Sequence, residues 1–137
     1  MKKLCVLAMA SLLTFSSCAL LNTEEAPAPI LPETALGVSV CLGFDATNHT
    51  VIMDDGKIEQ VISIIETATP TKRQSVNDTP YADEVYCVRF IGEEEYIPTY
   101  LYQDERLFGL ISHWYLEQPY HGIYEITKES AEILLNL

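Results

Sequence analysis

Three histidines, four cysteines and twenty acidic residues make up the chain's reactive inventory. A zinc centre needs three or four His, Cys or acidic ligands converging, ordinarily with two at close spacing. His49, His113 and His121 stand far apart, and no C-x-x-C or H-x-x-x-H pair occurs, so no metal site is expected. Asp54-Asp55-Gly56 lacks the alternating oxygens of a calcium loop and reads as a helix cap instead. Ser75, Ser112 and Ser130 lie in no nucleophile-elbow context. Neither Cys41 nor Cys87 is flanked by a motif supplying a base. Glu93-Glu94-Glu95 reads as a solvated hairpin tip, and no Gly-rich loop could cradle a phosphate. The expectation is a non-catalytic protein without a cofactor. A hydrolase with His113 or His121 as base is the less supported reading.

Recognition is a better fit to the remaining residues. Lys72 and Arg73 stand in a long polar segment of a chain that holds only 8 basic residues against 20 acidic ones, for a net charge of −12. Asn77 and Asp78, in the same segment, are turn formers that bond to backbone. Tyr96, Tyr100, Tyr102, Trp114, Tyr115, Tyr120 and Tyr124 crowd the C-terminal third. Tyrosine and tryptophan pair an apolar body with a polar tip, which suits contact surfaces, although aromatics are also ordinary strand residues with half facing a core. Lys72, Arg73, Asn77, Asp78, Tyr120 and Tyr124 are therefore the candidate ligand or partner contacts. Cys41 and Cys87 are open to two readings, a disulfide or two buried thiols, because sequence does not supply the geometry that decides. With so few cations no basic patch can be assembled, so nucleic acid is not an expected partner.

These residues need elements to hold them. The chain has 137 residues, 48% of them hydrophobic, enough for one domain with a real core. Leu36, Val38, Val40, Leu42 and Phe44 alternate with Ala35, Gly37, Ser39, Cys41 and Gly43, a strict strand pattern with one bulky and one small face. A helix is expected to pack on the small face. A short return strand covers 50–53. Asp54-Asp55-Gly56 caps an amphipathic helix over 57–67, with Ile58, Val61, Ile62, Ile65 and Ala68 on its stripe. Residues 69–83 form a long connection, a length that marks functional or disordered loops. Strands follow at 84–91, 96–102 and 107–116, and Pro98 places the middle one at an edge or bulge. A structured turn leads into 123–126, and Thr127 caps a last helix over 128–137. The order β-β-α-β-β-β-α describes an α+β domain, a small antiparallel sheet with helices on one face.

Ahead of this domain lies an address. Met1-Lys2-Lys3 is followed by an apolar run of about a dozen residues and then by small residues, the form of a secretory signal peptide. The run is shorter than the ~20 residues of a spanning helix. Phe15-Ser16-Ser17-Cys18 resembles a bacterial lipobox, in which the cysteine carries the lipid and becomes the new N-terminus. The resemblance implies a signal over 1–17, lipidation of Cys18 and attachment to the cell membrane on its extracytoplasmic side. Several acyl chains on one cysteine are what stable anchoring requires. Residues 18–34, rich in Pro and Glu, then read as an extended tether, and 35–137 as the domain.

Two further patterns, Ser75-Val76-Asn77-Asp78-Thr79-Pro80 and Gln118-Pro119-Tyr120-His121-Gly122-Ile123-Tyr124, resemble an uncharacterised domain of unknown function found in small bacterial lipoproteins. The resemblance spans roughly residues 50–137. It implies a binding or sensing module outside the membrane, its partner a small ligand or another envelope protein. The rival expectation is an assembly protein contacting its partner through a sheet edge near Pro98.

Overall fold

The computed structural model describes residues 24–44, 49–106 and 111–137. The expected signal peptide, 1–17, and Cys18 lie outside them. Nine elements follow in order: β1 (Gly37–Leu42), β2 (Thr50–Ile52), α1 (Asp55–Glu66), β3 (Thr69–Pro70), β4 (Val85–Ile91), β5 (Thr99–Arg106), β6 (Ile111–Gln118), β7 (Gly122–Ile126) and α2 (Lys128–Leu135). The seven strands form one antiparallel sheet, in spatial order β2-β1-β4-β5-β6-β7-β3. The α+β class holds. The expected order lacked two strands: β3, too short to leave a period, and β7, which pairs fully with β6.

Both helices begin where a side chain can take up a free backbone amide. Asp54 accepts from Lys57 N at 2.9 Å, and Thr127 Oγ1 accepts from Ser130 N at 3.1 Å. The helices bury Ile58, Val61, Ile64, Ile65, Ala131 and Leu134 against one sheet face, where Val38, Val88, Leu101, Leu116, Tyr124 and Ile126 meet them. In β1 this is the bulky face, not the small one on which a helix was expected. Burial of apolar area, roughly 25 cal/mol per Å2, draws the helices to the side chains with most area to hide. The small face of β1 is thereby left to the opposite side of the sheet.

Three expected boundaries move. Gln103 to Arg106 continue β5 instead of turning, because Gln103 and Asp104 pair with Trp114 and His113 of β6; residues 107–110, the start of the next expected strand, lie outside the described residues. Pro98 precedes β5, which is an interior strand between β4 and β6, so the sheet edges are β2 and β3 instead. Finally, residues 24–34 do not stand clear of the domain. They form a strap that makes hydrogen bonds along its length: Ala26 N to Thr71 O (2.9 Å), Tyr124 Oη to Pro27 O (2.9 Å) and Tyr96 Oη to Thr34 O (2.9 Å). Gln118, buried in the fold, donates to Ile30 O and accepts from Ile30 N, both at 2.8 Å. An extended Pro-rich chain makes no hydrogen bonds with itself, so its carbonyls are free for such donors. Gly122 leaves the room: a Cβ there would lie 2.6 Å from Ala26 Cβ and 2.6 Å from Tyr124 Oη.

Candidate functional site

The sheet face away from the helices is built differently. Strand alternation brings Cys41, Cys87, Tyr100, Tyr102, Tyr115 and Ile123 together as a second, smaller buried cluster. Around it the same face carries Arg89, Asp104, His113, Glu117 and Glu125. Among the described residues no helix covers this side. The irregular segment 71–84 crosses part of it and is pinned by polar contacts. Ser75 Oγ donates to Glu117 Oε1 at 2.7 Å, and Tyr120 N donates to Ser75 Oγ at 3.1 Å. Glu117 is a buried carboxylate, which must be hydrogen-bonded to be tolerated. Burial and the neighbouring Glu117 together push the Tyr102 hydroxyl well above the ordinary tyrosine range.

Arg73 is the centre of the arrangement. Its guanidinium lies 4.7 Å from the centre of the Tyr115 ring and 3.2 Å from Asp104 Oδ2. His113 stacks on Tyr115, with ring centres 6.1 Å apart, and its Nδ1 is 2.6 Å from Glu125 Oε1. Asp104, Arg73, Tyr115, His113 and Glu125 therefore run across the sheet as a chain of alternating charges and rings. A half-exposed pair such as Arg73–Asp104 contributes about 0–1 kcal/mol to stability, so the arrangement is better understood as a fixed surface than as a staple of the fold.

Beside Arg73 the surface opens into a cleft of about 500 Å3. Its origin is a mismatch of strand lengths. The β4–β5 ladder ends at Val85 and Tyr102, while β5 and β6 run on together through Gln103 and Asp104. Residues 81–84 swing away and leave a notch. Tyr81, Tyr86, Tyr102 and Trp114 wall it, and Asp83, Glu84, Asp104 and Arg73 supply its charge. Tyr81 is 92% exposed, an aromatic ring presented almost wholly to solvent.

The candidate residues divide. Arg73 lines the cleft, and Asp78 lies against the Tyr120 hydroxyl, raising its pKa. Tyr120 is exposed and holds a left-handed backbone, φ 57°, unusual for a bulky residue. Lys72 and Asn77 are exposed on the same segment without lining the cleft. Tyr124 is corrected: it is fully buried under the helices and the strap, where desolvation pushes its pKa up to about 12, so it is a core residue and no surface contact. Cys41 and Cys87 sit directly opposite on β1 and β4, both as thiols. Cys41 Sγ donates to Cys87 O at 3.7 Å and Arg89 Nε donates to Cys87 Sγ at 3.2 Å. Burial pushes the Cys87 thiol up, with Arg89 opposing. The cleft walls Tyr81, Tyr86, Asp83 and Glu84 were not among the candidates. Exposed Tyr81 in a polar stretch was the signal available.

Neither histidine has the surroundings of a general base acting on a nucleophile. His121 Nε2 lies 2.8 Å from Ala28 O of the strap. Among the described residues neither ring bonds a serine or cysteine, and no group of three potential metal ligands converges. No described helix is long and apolar enough to cross a membrane.

An antiparallel sheet with the helices and the strap on one face and an aromatic and charged face on the other defines an α+β domain. The chain belongs to the DUF5301 family, a domain of unknown function, whose model matches residues 25–125. That match begins in the strap, in keeping with its place in the fold. The chain is also similar to a protein from Ruminococcus gnavus whose structure was solved by NMR, with a TM-score of 0.56 and 26% identity over 76% of this chain and 99% of that one. No curated protein matches.

Proposed function

We propose that this protein is a non-catalytic binding module, held at the extracytoplasmic face of a cell membrane by a lipid on Cys18, with the cleft beside Arg73 as its recognition site. The cleft carries the reading. A concave, aromatic-walled site with a few fixed polar groups is the ordinary form of a small-ligand pocket, and here it lies next to an arginine already locked by Asp104 and Tyr115. The Phe15-Ser16-Ser17-Cys18 pattern supports the anchor. A chain starting at Cys18 has lost Lys2 and Lys3 and no acid, and its net charge of −14 is repelled by anionic headgroups, so the lipid and not the domain supplies membrane affinity. A sheet-edge contact with another envelope protein is less favoured: the edge strands have three and two residues, and short edges offer little template for pairing.

Two measurements test the proposal. Intact mass of the protein extracted from its native membrane is expected to show acyl chains on a chain starting at Cys18. An unlipidated protein in the medium would overturn the anchor. Tyr81→Ala and Arg73→Ala, both at exposed positions, are expected to abolish ligand binding while leaving the fold intact. Undiminished binding in both would overturn the site.

A further inference from the structure

The recognition reading leaves the chemistry of the ligand open, and the cleft's own lining addresses it. Arg73 brings the lining's single described positive charge, and that charge is engaged by Asp104 at 3.2 Å and by the Tyr115 ring at 4.7 Å. Asp83 and Glu84, also in the lining, meet no cation among the described side chains. The ring faces of the walls are electron-rich and attract cations within about 6 Å. The whole chain adds to this, since a net charge of −12 raises the local concentration of cations at an acidic, low-dielectric cleft. A bare metal ion does not fit, because aromatic walls supply no ligands and no three-ligand group converges among the described residues. The volume of about 500 Å3 is that of a small-molecule site.

Resting on the recognition site proposed above, we propose that the cleft takes a small organic cation, a protonated amine on an apolar body, its ammonium at Asp83 and Glu84 and its body among Tyr81, Tyr86 and Trp114. Arg73, held by Asp104 in the same lining, disfavours a second positive charge, which selects monocations over polyamines.

Trp114 is the one tryptophan of the chain and lines the cleft, so its fluorescence reports on this site. The full chain is titrated with hexylamine, hexanol and hexanoate, which share one body and differ in charge. Hexylammonium is expected to give a saturable change in Trp114 emission, with affinity about tenfold above that of hexanol, hexanoate weaker still. Added salt is expected to weaken hexylammonium alone. Asp83→Asn with Glu84→Gln, at exposed positions, is expected to bring hexylammonium down to the affinity of hexanol. Equal binding of hexylammonium and hexanol overturns the proposal, and so does tighter binding of hexanoate. Either result leaves the cleft standing as a recognition site of other chemistry. If none of the three moves Trp114 emission, both the cation and the site fall.

Discussion

Gln118 offers the sharpest test of how the strap is held. Its side chain is 1% exposed and makes three hydrogen bonds: to both backbone groups of Ile30 at 2.8 Å, and from Nε2 to Thr99 Oγ1 at 3.1 Å. Gln118→Leu keeps nearly the same volume, so it removes the bonds without opening a cavity. Each bond contributes about 1 kcal/mol net, and a buried group left without a partner costs more. Ile30 is 42% exposed, so its backbone groups recover water once the strap lifts. Thr99, 1% exposed, cannot. The expected loss is about 2–3 kcal/mol, which lowers a urea midpoint by about 1–2 M at ordinary slopes. Hydrogen exchange separates the parts: the Ile30 amide is expected to lose its protection while Leu101 and Leu116, in the core, keep most of theirs. An unmoved midpoint with Ile30 still protected would refute the reasoning, since the strap would then be held by something other than Gln118.

Gly122→Ala places a methyl within 2.6 Å of Ala26 Cβ and of Tyr124 Oη and is expected to cost about 1–3 kcal/mol and expose residues 24–30 to protease. A mild disulfide oxidant such as oxidised glutathione is expected to join Cys41 to Cys87, releasing two reduced glutathione molecules per bond. The register puts their Cα atoms at about 5.5 Å, within disulfide range. The closed loop would raise stability by up to about 4 kcal/mol before strain; Cys41 and Cys87 both still alkylatable in the oxidised, unfolded chain would count against it. At alkaline pH the sign follows from Tyr124, whose folded pKa of about 12 exceeds its ordinary value of 10.0. Below pH 10 it contributes no pH dependence, and between 10 and 12 the unfolded chain loses its proton first, so stability falls as pH rises. Denaturation midpoints measured across that window are expected to fall less steeply in Tyr124→Phe.

What was legible in the sequence was local. The period-two run through Val38 and Val40, the caps at Asp54 and Thr127 and the stripe from Ile58 to Ile65 each carry their signal within a few residues. Long-range packing hid the rest. Tyr124 and Tyr120 look alike in sequence, yet one is in the core and the other at the surface, because β7 has its own partner and the strap crosses over it. The Pro-rich stretch read as a tether because its bonds are to Gln118, Tyr96 and Tyr124, far along the chain. Gln103 and Asp104 read as a turn because polar residues mark turns as well as exposed strands. The cleft exists only where one ladder outlasts another, a mismatch that no single segment records.

The strap also sets an order of events. The earliest described stretch of the fold, residues 26–30, takes its partners from Gln118, His121 and Tyr124 near its end, and β1 waits for β4. Synthesis proceeds from the N-terminus at about 5–20 residues per second, so for most of that time the strap has nothing to bind and the first strand has only the three-residue β2. Closing such distant pairings is slow in itself. The strap accordingly stays open until β7 has been made, and it is among the last parts of the fold to close.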